Sequence, residues 1–192
     1  MALLEIAVFK NSKGVSQEAS EKLAGVKGLL SAHSGIQIED PEYVHWVLHW
    51  ETLDAHQKFA VSSEYREYQQ NAGEMSSERI LVEVTPEHDI PTVFGAPVSE
   101  FAIATLKSPS LREKWNKCLE VTLGGMEATK GAIAGVRGIA AGNPDQYVFV
   151  IGWESIEDHQ AALAAPYAQD IYNETISLTH FNAKHARMSR LY

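Results

Sequence analysis

This 192-residue sequence predicts an α+β fold in which one small unit occurs twice. Three observations predict it. Residues 43–57 (YVHWVLHWETLDAHQ) match residues 146–160 (QYVFVIGWESIEDHQ) without a gap, at an offset of 103. The residue patterns around each copy follow the order β-α-β-β-α-β. Between the copies, residues 86–100 hold three prolines and one glycine, the composition of a linker. In the matched segments Val47/Val150, Trp50/Trp153, Glu51/Glu154, His56/His159 and Gln57/Gln160 are identical. A period this long is not that of a solenoid. It predicts two copies of one domain, 1–85 and 101–192, packed about a pseudo-twofold axis as the subunits of a homodimer would be.

Each element has a local reason. Leu3–Lys10 is a short apolar run, read as a strand. Asn11–Gly14 is a turn, and Ser16 caps a predicted helix with Ala19, Leu23, Val26 and Leu30 at helical spacing, ending near Ser34–Gly35. Ile36–Glu39 and Tyr43–Trp50 read as a hairpin. Thr52 caps the next helix, with Asp54 in its first turn, and Ser62 or Ser63 restarts or bends it through Tyr65 and Tyr68. Glu78–Thr85 closes the first unit as a strand. The second retraces it: strand Phe101–Lys107, helix Leu111–Lys130, hairpin Val136–Ala141 with Tyr147–Trp153, helices Ser155–Ala164 and Pro166–Ser177, strand Thr179–Met188.

Composition narrows the function classes. Hydrophobic residues are 45% and charged residues 21%, ordinary for a globular protein able to bury a core. The net charge of −9, without a cluster of Lys and Arg, argues against a nucleic-acid partner. No run of about 18 apolar residues predicts a membrane span. The single cysteine, Cys118, excludes an intrachain disulfide and reads as a buried small apolar residue. With no signal-like N-terminus, the expected location is the cytoplasm. No GxGxxG, GxSxG, HExxH or CxxC occurs, so no flavin, nicotinamide or other cofactor is expected, and no metal.

The pattern W-E-[ST]-[LI]-x-x-H-Q, followed by S-S-E-Y at 62–65 or A-P-Y at 165–167, resembles the dimeric α/β-barrel superfamily: antibiotic-biosynthesis-monooxygenase-type domains and stress-responsive A/B-barrel proteins. The resemblance covers nearly the whole chain, once per unit. It implies two ferredoxin-like repeats whose sheets face each other as an intrachain α/β barrel. The fusion would supply the dimer that single-domain relatives need, giving a monomer with an internal pseudo-dimer, or a homodimer of such chains. That fold hosts cofactor-free oxygenases, polyketide cyclases, decarboxylases and proteins with no known reaction.

Departures from the internal symmetry mark the candidate site. On strand 43–50 Val44, Trp46, Leu48 and Trp50 share one face, while Tyr43, His45, Val47 and His49 share the other. His45 and His49 stand where the second unit has Val148 and Gly152, and two such histidines suit acid–base work near neutrality. A cavity beside them would be lined by Trp46 or Tyr43 and by Tyr65 or Tyr68. By resemblance to cyclases and oxygenases that pair a histidine near the last strand with a tyrosine on the second helix, His180 with Tyr172 or Tyr167 is the competing site. These two histidines, four residues apart, would need a third ligand to hold a metal, and no Cys or carboxylate has a compelling spacing. The expected function is cofactor-independent His/Tyr acid–base chemistry on an apolar aromatic or polyketide-like metabolite: cyclisation, decarboxylation or oxygenation. The alternative is a non-catalytic stress-responsive or ligand-binding barrel.

Overall fold

The computed structural model describes residues 2–10, 22–63, 65–66, 74–84, 89–126 and 129–192. Strands β1 (Ala2–Lys10), β2 (Leu29–Gln37), β3 (Tyr43–Trp50) and β4 (Glu74–Val84) form one antiparallel sheet in the order β4-β1-β3-β2. Strands β5 (Val98–Leu106), β6 (Ala132–Ala140), β7 (Asn143–Trp153) and β8 (Thr179–Arg190) form a second in the equivalent order β8-β5-β7-β6. Pairing of β2 with β8 and of β4 with β6 closes the two into one barrel within the chain. Closure removes the unpaired edges that a lone four-stranded sheet would expose. Helices α1 (Leu53–Ala60), α2 (Ile90–Gly95), α3 (Arg112–Met126), α4 (Ile156–Ala164) and α5 (Pro166–Leu178) complete the fold.

The matched segments occupy matching places. Thr52 Oγ1 accepts from Ala55 N at 3.1 Å and Ser155 Oγ from Asp158 N at 3.0 Å, capping α1 and α4. Gly28 and Gly131, at the same offset, both have positive φ, and a Cβ at either would lie 2.4 Å from the helix that follows (Ala55 or Asp158). Only glycine allows that approach.

Strand alternation sorts the side chains into three cores. Leu4, Ile6, Val47, Val82, Val136, Val148 and Val150 point into the barrel. Outside the first sheet lie Leu3, Phe9, Trp46, Leu48 and Trp50, packed with Phe59 and Tyr65. Outside the second lie Ala104, Tyr147 and partly buried Phe149, covered by Trp115 and Leu178. Among the described residues no helix is long and apolar enough to cross a membrane.

The segment read as a linker does more than connect. Its α2 enters the barrel and buries Ile90, Val93 and Phe94 among the inner core residues. Ser99 Oγ donates to Val93 O at 3.0 Å and pins it. Burying three such side chains is worth roughly 5–9 kcal/mol before entropy. A Cβ on Gly152 would come within 2.8 Å of Ala96 Cβ, which explains glycine opposite the plug where the first unit has His49.

Element boundaries differ from expectation; β6 and β7, for example, each begin four residues before the expected Val136 and Tyr147. The helix predicted to run to Ser34–Gly35 does not: residues 29–37 are β2, and residues 11–21 lie outside the described part. Leu23, Val26 and Leu30 fit a helical period, but from Leu29 to Gln37 the buried Leu29, Ser31, His33, Gly35 and Gln37 recur at every second residue, as a strand requires. The strand expected at 101–107 begins at Val98, and the one expected at 78–85 begins at Glu74.

Candidate active site

A buried glutamate, absent from the sequence reading, organises the outer face of each sheet. On β1, Glu5 Oε2 accepts from Trp50 Nε1 at 3.2 Å and lies 3.3 Å from His56 Nε2. On β5, Glu100 Oε2 accepts from Trp153 Nε1 at 2.9 Å and lies 3.5 Å from His159 Nε2. Both carboxylates are 5% exposed. The repeated Trp and His therefore hold a buried carboxylate in both halves, and they recur because an unpartnered buried charge is costly.

Around this shared trio the halves diverge. In the first, Arg79 reaches in from β4. Its Nη2 lies 2.7 Å from Glu5 Oε1 and 3.0 Å from His56 Nε2, and its Nη1 donates to the Tyr65 hydroxyl. The void left beside Glu5, Trp46, Tyr65 and Arg79 measures about 10 Å³. In the second half no arginine lines the corresponding place among the described residues. A cavity of about 420 Å³ opens between the sheet and helices α3, α4 and α5, walled by Trp115, Leu119, Phe149, Ile151, Leu163 and Phe181, with Tyr167 and Tyr172 at its exposed side. Glu100, Trp153 and His159 line it. Trp115 is 2% exposed, and its Nε1–H has no partner among the described residues. The cavity thus offers an apolar wall and two carboxylates, the buried Glu100 and Asp170.

His185 of β8 extends the second trio across the barrel seam. His185 Nε2 lies 2.9 Å from His159 Nδ1, and His185 Nδ1 lies 2.6 Å from Glu39 Oε1. Glu39 follows β2 of the first half and also accepts from the His185 backbone N–H at 3.0 Å. Burial holds His159 below the ordinary histidine pKa, against the pull of Glu100. Partial burial acts to raise the Glu39 carboxyl, but the hydrogen bonds from His185 outweigh it and hold Glu39 below the ordinary glutamate value. Glu100, His159 and His185 each place a ligand-type atom within 4.8 Å of the others, the set among the described residues closest to a metal site. Yet the two nitrogens of His159 face opposite neighbours, Nδ1 toward His185 and Nε2 toward Glu100. The set is a line, not a coordination shell converging on one point.

The sequence-derived candidates are dispersed over three places. His45 and His49 point into the barrel, as their alternation requires, with Ser31 and His33 on the neighbouring strand. His45 is 2% exposed, donates through Nε2 to Gln37 Oε1 at 3.0 Å, and stacks 4.6 Å from Phe101. Burial lowers its pKa to about 4 and that of His33 to about 4, and it also lowers that of His49. Tyr43 and His45 line a second cavity of about 420 Å³ at the barrel mouth, with Gln37, Glu39, Phe101 and Lys184. Trp46 and Tyr65 lie on the opposite face of the same sheet, so the expected cavity joining them to His45 and His49 does not form. Strand geometry forbids it, since adjacent residues point to opposite faces. Tyr68 falls outside the described residues.

His180 is exposed near the start of β8 and does not line the second-half cavity; Tyr172 does, its ring 6.0 Å from that of Phe181. The alternation that sets Phe181 on the helix-facing side sends His180 the other way and brings His185 round to Glu100. The missed Glu5 and Glu100 had a faint signal: each opens a Glu-apolar-Ala triplet (EIA, EFA) inside a strand that otherwise reads as apolar.

No protein-family model matches the chain, and no curated protein matches it. Solved structures do. An anthrone oxidase-like protein superposes with a TM-score of 0.69 at 12% identity, over 99% of this chain and 93% of that one. A candidate monooxygenase from Fusobacterium nucleatum gives 0.66 at 12% identity, over 100% and 93%. A ferredoxin-fold protein from Listeria monocytogenes related to antibiotic biosynthesis monooxygenases gives 0.53 at 12% identity, over 97% and 95%. At this identity the likeness is one of fold, and it spans both halves. This chain shares the fold of these structures: two ferredoxin-like units closed into one barrel by a single polypeptide.

Proposed function

We propose that the chain is an enzyme that takes an apolar aromatic or polyketide-like metabolite into the second-half cavity and removes a proton from it without an organic cofactor. Glu100 is the proton acceptor. Its Oε2 is occupied by Trp153, which leaves Oε1 for the substrate. The Trp115 ring forms part of the apolar wall, and Tyr172 orients the substrate ring at the cavity's open side. The resulting carbanion or phenolate then cyclises, loses carbon dioxide or reacts with O2.

The observation that carries this reading is the contrast between halves. The same Glu–Trp–His trio is sealed by Arg79 and Tyr65 in one and open to a cavity of about 420 Å³ in the other. That volume suits a small polycyclic ligand. The neighbours described as monooxygenases and as anthrone oxidase-like support oxygenation as one outcome. Anthrone, whose C–H is acidic, is the probe. Oxygen uptake with anthrone should exceed the uncatalysed rate and fall roughly 100-fold or more in Glu100→Gln, the scale of a positioned proton acceptor. Uptake equal to the uncatalysed rate, together with tight binding of anthrone in the cavity, would favour the ligand-binding alternative.

A further inference from the structure

We propose that Glu39, His185, His159 and Glu100 form a proton relay that connects the second-half cavity with the barrel mouth on the far side of the sheet. The inference rests on the proposed role of Glu100 as proton acceptor and extends it to two residues, Glu39 and His185, that do not line that cavity. Glu39 instead lines the mouth cavity, where it meets solvent. The line crosses the β2–β8 seam, which Ile38 N donating to His185 O at 2.7 Å holds in register.

The spacings assign the protons. Glu39 accepts from His185 Nδ1–H at 2.6 Å, which leaves His185 Nε2 bare to accept from His159 Nδ1–H at 2.9 Å. His159 Nε2 is then also bare and faces the Glu100 carboxylate. Two electron-rich atoms face to face account for the longest gap of the line, 3.5 Å. When the substrate C–H or O–H bond breaks, an O–H bond forms at Glu100 Oε1, and rotation of the carboxyl group exchanges its two oxygens and carries that proton into the gap. The proton passes to His159 Nε2. His159 Nδ1–H passes its own to His185 Nε2, and His185 Nδ1–H passes its own to Glu39, which releases it at the mouth. One proton leaves the cavity and each histidine changes tautomer without holding a net charge. Each proposed outcome, whether ring closure, decarboxylation or reaction with O2, consumes a proton when product is formed. Running the line in reverse supplies it and restores the first tautomers. Repeat one has no such path, because Arg79 occupies its trio and Leu81 pairs with Glu5 where His185 pairs with Glu100.

The test has an arm that needs no substrate. Two-bond 1H–15N spectra of the histidine rings of the full chain should show His159 and His185 both carrying the proton on Nδ1. Glu39→Gln should change the tautomer balance of His159, two groups away, as well as that of His185. A His159 signal unmoved by Glu39→Gln, or a His185 proton on Nε2 in the wild type, would overturn the relay even if anthrone is turned over. With anthrone, Glu39→Gln and His185→Gln should lower kcat roughly tenfold with KM within about twofold, less than the loss for Glu100→Gln. The solvent isotope effect on kcat should need more than one exchanging proton in the wild type and only one in His185→Gln. An unchanged kcat, or a change confined to KM, would assign these residues to the seam alone. Glu39→Asp should restore part of the rate, and its failure to exceed Glu39→Gln would count against the relay. If the wild type leaves anthrone untouched while Glu100→Gln binds it as well as wild type does, the proposed reaction fails and the relay with it, whereas the outcomes above reject the relay alone.

Discussion

Lowering the pH should strip stability from this barrel through His45, by an amount that its surroundings set. In the folded chain the ring is 2% exposed, packed on Phe101 and bonded to Gln37, and its pKa lies at about 4 instead of 6.5. Burial is the main cause; the nearby Glu39 pulls the value up, and His185 and Lys184 push it down. Because the folded pKa lies below the unfolded one, folding favours the neutral ring. Its contribution is complete above about pH 6.5 and is lost as pH falls toward about 4. The shift is worth about 3 kcal/mol in full, and most of it is gone at pH 4.5. His45→Gln keeps a hydrogen-bonding side chain for Gln37 but cannot titrate. Urea unfolding followed by tryptophan fluorescence at pH 7 and pH 4.5 should therefore show wild type losing about 2–3 kcal/mol more than His45→Gln. His33 titrates in the same window in both proteins and cancels in the difference. Equal losses in the two, within about 0.5 kcal/mol, would refute the buried neutral histidine.

Four further outcomes follow from the packing. Phe94→Ala empties the plug of the barrel and should cost about 3–5 kcal/mol in denaturant unfolding. Glu5→Gln leaves Arg79 and His56 without their buried carboxylate and should cost about 3–5 kcal/mol, whereas Glu100→Gln, with no arginine to strand, should cost less in the same assay. Gly152→Val drives its side chain into Ala96 and the Val93 carbonyl and should lower the melting temperature by several degrees, by roughly 1–3 kcal/mol of overpacking. Ala162→Trp fills the second-half cavity and should abolish anthrone binding in calorimetry while the unfolding midpoint moves by less than Phe94→Ala moves it.

The duplication and the order of elements were legible because the residues that repeat are those the fold cannot do without. Trp50/Trp153 and His56/His159 hold a buried carboxylate twice, and Thr52/Ser155 cap the same helix twice. The carboxylates themselves were not legible. Glu5 and Glu100 sit inside apolar strands, and nothing local distinguishes a buried charge from an edge residue until its distant partners, Arg79 for Glu5 and His159 for Glu100, are in place. His185 was hidden for the same reason, since its partner Glu39 lies 146 positions away. Reading residues 29–34 as helix concealed His33 and Ser31, which share the barrel interior with His45 and His49. Asymmetry between the units did point to a single site, but the decisive asymmetry is Arg79 closing one trio, and that requires knowing where β4 packs.

The chain carries its own reporters for the central claim. Of its four tryptophans, Trp46 and Trp50 lie in the first half, while Trp115 and Trp153 line the second-half cavity. Their indole N–H resonances in 1H–15N spectra, recorded during an anaerobic titration with anthrone, measure which half takes the ligand. Saturable shifts of Trp115 and Trp153, with Trp46 and Trp50 unmoved, are the predicted result. Shifts at Trp46 and Trp50 with Trp115 still, or binding seen only at Tyr43 and His45 of the barrel mouth, would contradict it.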